Sequence, residues 1–134
     1  MGSTSPIFVA IEDNPGIMDW SLFIETEKNT DKTIIQVLGT RHKYFRVIRT
    51  PSNPRVSTDL IDLLPLCRID TSKIEMVKYI ADSTHIGNEV VDWSCQDYVL
   101  GVLNDLEDAG IINGNDKDYI RNKEVVKSKR ESWP

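Results

Sequence analysis

The chain has 134 residues, which is enough for one domain and no more. With 40% hydrophobic and 28% charged residues, its composition excludes a wholly disordered chain, a collagen-like repeat and a coiled-coil rod. The formal net charge of −5 argues against nucleic acid as a partner. No apolar run approaches the roughly 20 residues that a membrane span needs, so we expect no membrane span.

Cysteine and histidine are scarce, with two residues of each. Two cysteines cannot form a disulfide framework, and His42 and His85 are not at the spacing of metal ligands. We therefore expect no metal and no cofactor. Because the first residues lack the pattern of a signal peptide, the two free thiols favour a cytoplasmic, reducing environment.

The first half of the chain is predicted to form antiparallel strands. Four short segments are apolar or β-branched and end at polar or turn residues: 7–11, 20–24, 33–38 and 44–48. Residues 60–69 are ambiguous, because Pro65 weakens a helix while 66–69 has the composition of a fifth strand. Short connections between the first four segments favour a meander.

The second half is predicted to be helical. Ser72 and Glu75 match a capping box, which predicts a helix over 73–81. The strongest helix begins near Ser94 and carries one apolar stripe, made of Cys95, Tyr98, Val99, Val102, Leu103 and Leu106. Gly110 is suited to end it, and a last helix is predicted over 117–129.

Strands followed by helices define the α+β class. We predict an antiparallel sheet of four to five strands packed against the Cys95 helix and one or two further helices. The whole chain, 1–134, is interpreted as one domain, with a core at about 7–112 and a C-terminal helix or tail at 115–134.

Cys95 is the residue whose position suggests chemistry. It lies in the first turn of a helix, where unpaired backbone N–H groups and the helix dipole favour a thiolate. The alternative is that Cys95 simply fills space, since cysteine is commonly buried. Cys67 lies in an apolar run and is interpreted as core filling.

Three short motifs occur in a recognisable order: Asp19-Trp20-Ser21-Leu22-Phe23 on an early strand, Ile34-Ile35-Gln36-Val37 on the next, and Ser94-Cys95-Gln96-Asp97-Tyr98-Val99 opening a late helix. This set resembles the circularly permuted papain-like superfamily, which includes NlpC/P60-like and lecithin:retinol acyltransferase-like proteins. It is also similar to small uncharacterised fungal proteins with a His-Trp strand and an Asn-Cys-Gln-Asp-Trp helix. The resemblance spans roughly residues 17–112.

The resemblance implies a nucleophilic Cys95, with Gln36 as the group that orients a histidine base. Asp19 stands where that histidine belongs. A carboxylate is a poor base for a thiol, because the reference pKa values differ by about four to five units in the wrong direction. His42 or His85 would have to swing inward to replace the missing base.

Other residues are candidates for binding. Trp20 and Trp93, with Gln96, are assigned to substrate binding, although the interpretation of both tryptophans as core anchors is favoured. Arg46 and Arg49 lie on opposite faces of the fourth strand, where an arginine either clamps a substrate carboxylate or guards the sheet edge.

The sequence favours a small enzyme with a catalytic set of Asp19, Gln36 and Cys95. We expect acid–base chemistry, such as cyclisation, isomerisation or elimination, on a small-molecule substrate. The resemblance implies fungal specialised metabolism as the setting. Two alternatives stay open: a cysteine-dependent acyl hydrolase or acyltransferase, and a non-catalytic binding module that retains the fold. The sequence predicts no oligomeric state.

Overall fold

The computed structural model describes residues 3–133 and confirms the α+β class. Residues 1, 2 and 134, at the ends of the predicted domain, lie outside the described residues. The strands are β1 (Thr4–Glu12), β2 (Asp19–Ile24), β3 (Thr33–Leu38), β4 (Phe45–Arg49) and β5 (Leu60–Asp70). The helices are α1 (Ile74–Ser83), α2 (Cys95–Asp108) and α3 (Lys117–Ser128).

The five strands form one antiparallel sheet in the order β4-β3-β2-β1-β5. β1 to β4 are the predicted meander, and β5 adds to the free edge of β1. Pro65 lies inside β5, beside a register shift opposite Ile7 and Phe8. An edge strand tolerates proline because its outward N–H has no ladder partner to lose. The fifth strand is therefore present, and it extends to both sides of Pro65.

The three helices cover one face of the sheet. Side chains alternate along each strand, so Trp20, Leu22 and Ile24 of β2 face the helices while Asp19 and Ser21 face the other way. The helix-facing core joins these β2 residues to Val9, Ile35, Leu66, Val77, Tyr98, Val102, Leu106 and Tyr119, among others. Full burial stabilises the fold by roughly 1.5–3 kcal/mol for each large apolar side chain.

The predicted capping box at Ser72 and Glu75 is wrong. Asp70, at the end of β5, accepts hydrogen bonds from the Ser72 backbone N–H at 2.9 Å and from its hydroxyl at 2.7 Å. This closes a short 3-10 turn over Thr71–Lys73, and α1 starts only at Ile74. Asp70 forms this turn because its carboxylate accepts a hydrogen bond from the backbone N–H two residues ahead. The Ser72 hydroxyl donates to the same carboxylate and does not cap α1.

The start of α2 has the capping box instead. The Ser94 hydroxyl accepts from the Gln96 backbone N–H at 3.2 Å, and Asp97 accepts from the Ser94 N–H at 2.9 Å. At the other end, Gly110 has a φ of +73°, a left-handed conformation that glycine adopts without strain. These two signals define the Cys95 helix as the sequence predicted.

Candidate functional site

The first residue of β2 and the first residue of α2 meet. The Cys95 sulfur lies 4.0 Å from Oδ1 of Asp19, and its thiol faces the Met18 carbonyl oxygen at 3.6 Å. Two of the three predicted catalytic residues are therefore in contact.

The sheet is split near this contact. The β2–β3 ladder pairs only three positions and ends at Leu22 opposite Ile35. Beyond that point β2 continues beside β1 as far as Asp19, and β3 continues beside β4 as far as Leu38. The start of β2 is therefore not held by β3.

The thiol of Cys95 is buried. Its side chain is 2% exposed, and burial, followed by the charge of nearby Asp19, raises its pKa to about 11. Backbone N–H groups, including that of Trp20, lower the pKa but do not offset burial. At neutral pH the thiol is protonated, so its position in the first turn of α2 does not make it a nucleophile.

Asp19 has the opposite character, because its carboxyl is partly open to solvent. Its direct partner across the β1–β2 ladder is Glu12. Burial, and then the like charge of Glu12, raises the pKa of Asp19 above its usual value of 3.8. A carboxyl with a raised pKa, close to another acidic group, is suited to hold and release a proton.

Asp19 opens into a cavity of about 280 Å³ on the sheet face away from the helices. The floor is formed by β2 and β3, including Gln36, and the segment that crosses from β4 to β5 forms a wall. Ser57 of that segment donates a hydrogen bond to Glu12 at 2.8 Å. The cavity is lined by Glu12, Asp19, Ile34, Gln36, Leu38, Arg49, Ser52, Asn53, Pro54 and Ser57.

Gln36 shares this cavity with Asp19. Its side chain faces away from the helices, and only 8% of the residue is exposed. Within residues 3–133 its amide makes no side-chain hydrogen bond, although it lines the cavity. The amide is therefore free to bond solvent or a ligand from the cavity.

The residues assigned to substrate binding lie elsewhere. Trp20 faces the helices and is 1% exposed, and its indole N–H has no partner among the described residues. Trp93 packs edge-on against Tyr44, with ring centroids 5.6 Å apart. Neither tryptophan lines the Asp19 cavity, and both occupy core positions.

Gln96 is fully buried and bonded within the chain. Its amide Nε2 donates to the Met18 carbonyl and to the Glu131 carboxylate, each at 3.0 Å. Its Oε1 accepts from the Glu131 backbone N–H at 2.7 Å. The geometry gives Gln96 a structural role, since its amide joins α2 to the end of the chain.

Residues 130–133 form a C-terminal strap across the start of α2. Arg130 donates to both carboxylate oxygens of Asp97, at 2.7 and 3.1 Å. The Trp133 indole donates to the Trp93 carbonyl at 3.1 Å, and Arg41 lies 5.6 Å from the Trp133 ring. The strap bonds Trp93, which precedes Cys95 in the chain, and Asp97, which follows it. These contacts help to cover the thiol.

Three residues near the site were not predicted from the sequence. Neither Glu12 nor Ser57 was assigned a role from the sequence. Tyr44 lies near the thiol, and its pKa is raised to about 12, mainly by burial and then by Cys95. The alternation of β1 marks Glu12 as outward-facing, but only the register with β2 shows its partner.

Neither histidine stands in for the missing base. The His42 ring bonds the Asn88 carbonyl at 2.7 Å, and the His85 ring bonds the Glu89 carboxylate at 2.6 Å. Both side chains are exposed, as the polar context of their loops predicted. Arg46 turns to the helix side and bonds the Tyr98 hydroxyl at 3.3 Å and the Thr84 carbonyl.

Among residues 3–133, no cluster of three or more His, Cys, Asp or Glu side chains is arranged to hold a metal ion. None of the helices described has the length and apolar character to cross a membrane.

The fold and the site together define an α+β domain with a half-buried carboxyl in a polar cavity. The model of the Family of unknown function (DUF6540) matches residues 7–113. The chain belongs to this family. The matched segment contains most of β1 and all of β2 to β5, α1 and α2, while α3 and the C-terminal strap follow it. No curated protein and no solved structure matches the chain.

Proposed function

We propose that the chain is a small enzyme in which Asp19 donates or accepts a proton on a small organic molecule bound in the adjacent cavity. The observation that carries this proposal is the Asp19 carboxyl itself. It lines a cavity of about 280 Å³, and burial and Glu12 raise its pKa. A general acid or base contributes about 10²- to 10⁴-fold to a reaction rate when it is held beside its substrate.

The cavity sets the size of the substrate. Ligand pockets usually enclose about 300–1,000 Å³, so a cavity at the lower limit suits a small molecule. The Gln36 amide supplies an NH₂ donor group and a carbonyl acceptor to orient it. In this proposal Gln36 is a binding residue, and cyclisation, isomerisation or elimination are the reaction types that need only proton transfer.

Cys95 has a supporting place in the proposal. Its protonated thiol lies 4.0 Å from the Asp19 carboxylate and 3.6 Å from the Met18 carbonyl, so it helps to shape the back of the acid site. Acyl transfer through a Cys95 thiolate is disfavoured, because the thiol is 2% exposed and its pKa is about 11.

The same proposal includes a relationship to the permuted papain-like superfamily. What supports it is the placement of a cysteine at the first turn of a helix, against the first residue of a strand that carries the Asp-Trp pair. In this view the histidine base has been replaced by Asp19 and the covalent step has been lost. A role in fungal specialised metabolism is proposed on the resemblance alone, and a cytoplasmic location on the two free thiols.

The test uses solvent deuterium, because it needs no knowledge of the reaction. The protein is incubated in D₂O with a library of small organic acids, amides and ketones, and mass spectrometry detects molecules that change or gain deuterium. The proposal predicts that Asp19→Asn lowers any such turnover by about 10²-fold or more. Asp108→Asn, an exposed change at the end of α2, serves as the matched control.

The proposal fails if turnover survives in Asp19→Asn at the wild-type rate. It also fails if turnover is lost in Cys95→Ala while Asp19→Asn keeps it, because that result would assign the chemistry to the thiol.

A further inference from the structure

The outer face of the sheet is organised in three rows of side chains that run across the strands. Arg49 of β4 is level with Ile34 and Phe23. Gln36 pairs with Val47, and Ser21 pairs with Ala10. Asp19 and Glu12 form the third row, at the end of β1 and β2.

The middle row contains two small, covered residues. Ala10 and Ser21 lie between the aromatic row, where Phe8 and Phe23 stack at 6.0 Å, and the acidic row. Ser21 is 2% exposed, and its hydroxyl has no hydrogen-bond partner among residues 3–133. Gln36 is the polar side chain of this row that lines the cavity, and Ser21 is not among the lining residues.

The charges at the two ends of the cavity are opposite. Its charged lining residues are Glu12 and Asp19 at one end and Arg49 at the other. Arg49 is exposed, and it takes no part in the ion pairs formed within residues 3–133. Arg55, by contrast, is held by Glu25 at 2.9 Å.

The spacing of the charged ends follows from the register. Arg49 is level with Phe23, and Phe23 is four residues along β2 from Asp19. Four residues span about 13 Å along the strands, and β4 lies two strands, about 10 Å, from β2, so the backbone positions of Arg49 and Asp19 are roughly 16 Å apart. A ligand that reaches both ends therefore has its two charges separated by several bonds, with the unpartnered amide of Gln36 between them.

We propose that this cavity binds a small linear zwitterion, with its carboxylate at Arg49, its ammonium group at Glu12 and Asp19, and an amide or hydroxyl at Gln36. This inference names the substrate class of the proposed acid–base site and rests on that function for its biological role. Binding itself requires no turnover. The ammonium offsets the like charges of Glu12 and Asp19, which are otherwise unfavourable as direct neighbours across the ladder.

Glycylglycine is the probe, because it has both charges and a central amide. Two analogues remove one charge each: glycylglycinamide lacks the carboxylate, and N-acetylglycylglycine lacks the ammonium. Binding is measured at pH 7 by shifts of backbone amide signals in NMR titrations. The wild-type protein is expected to bind glycylglycine with shifts centred on Asp19 and Gln36, which line the cavity, and each analogue about three- to tenfold more weakly.

Arg49→Gln provides the decisive comparison, because an exposed residue can be changed without unfolding the sheet. It should weaken glycylglycine about three- to tenfold and leave glycylglycinamide unchanged, since the amide lacks the group that Arg49 contacts. The control is Arg121→Gln, an exposed arginine on α3 that pairs only with Asp118 in the described ion pairs. That variant should bind all three probes as the wild type does.

The inference is overturned if glycylglycine gives no saturable shifts in the cavity, or if Arg49→Gln weakens glycylglycine and glycylglycinamide equally. The proposed function fails by a different result, namely deuterium turnover that survives in Asp19→Asn. Specific glycylglycine binding together with such turnover would retain the zwitterion site and reject Asp19 as the acid–base group.

Discussion

Asp19 lies directly opposite Glu12 in the ladder between β1 and β2, so two carboxyl groups face the same cavity from neighbouring strands. Like charges in this position are destabilising by roughly 0.2–1 kcal/mol. Burial of Asp19 adds a further cost to its ionised form and raises its pKa. The acidic pair therefore destabilises the fold locally, beside a cavity. Such a local destabilisation is typical of functional sites.

Asp19→Asn should stabilise the protein at pH 7. Because the pKa of Asp19 is raised on folding, the folded protein holds the proton more tightly than the unfolded chain. The contribution of Asp19 to stability is therefore full below pH 3.8, its usual pKa, and is lost as the pH rises through the folded value. We expect a gain of roughly 0.2–1 kcal/mol in the free energy of unfolding at pH 7.

Urea denaturation of Asp19→Asn and wild type at pH 7 and at pH 3 measures this effect. The difference should shrink toward zero at the lower pH. A variant that is less stable than wild type at pH 7 would show that the Asp19 carboxylate is stabilised in the fold.

Both cysteines should be inert in the native protein. Burial raises the pKa of the Cys95 thiol to about 11 and that of Cys67 to about 12. At pH 8 about one Cys95 in a thousand is then a thiolate, the form that reacts with iodoacetamide. We expect alkylation of native Cys95 to be at least 10²-fold slower than in the guanidinium-unfolded chain.

Mass spectrometry of a Cys67→Ser variant isolates the Cys95 signal. Cys95 that reacts in the native state with a midpoint below pH 8.5 would contradict the buried-thiol description and return nucleophilic catalysis to consideration.

The two site glutamines should differ sharply in their effect on stability. Gln96→Ala removes three hydrogen bonds: the Glu131 backbone N–H loses its acceptor, and the Glu131 carboxylate and the Met18 carbonyl each lose one of two donors. We expect a loss of about 1–3 kcal/mol. Gln36→Ala removes an amide that is unpartnered among the described residues, so its cost should stay below about 1 kcal/mol.

Chemical denaturation of the two variants makes this comparison, with Gln36→Ala as the matched control for Gln96→Ala. Equal losses would mean that the Gln36 amide already has a partner in solution, and the cavity would then lack its orienting group.

The sequence predicted the strands and the Cys95 helix well, because β-branched runs and one apolar stripe depend only on local periodicity. The fifth strand was left open, since Pro65 disfavours a strand interior and only the edge position of β5 makes it acceptable. Ser72 and Glu75 show the limit of motif matching. A neighbouring Asp70 that bonds Ser72 prevents the capping box they predict.

The site was predicted only in part. Asp19 and Cys95 do meet, but Gln36 joins Asp19 on the outer face in a cavity that no periodicity reveals. That cavity depends on the register that sets Ser21 opposite Ala10, and on a chain crossing that brings Ser57 to Glu12. The amide of Gln96 bonds a strap 35 residues later in the chain, a contact with no local signature.

The pKa of Asp19 is the quantity that tests the account most directly. It can be measured by a carbon-detected NMR titration of the side-chain carboxyl, in the wild type and in Glu12→Gln. The account predicts a pKa clearly above 3.8 in the wild type and a lower value in Glu12→Gln, where the neighbouring charge is gone. A wild-type pKa at or below 3.8, unchanged by Glu12→Gln, would contradict the claim that Asp19 is poised for proton transfer.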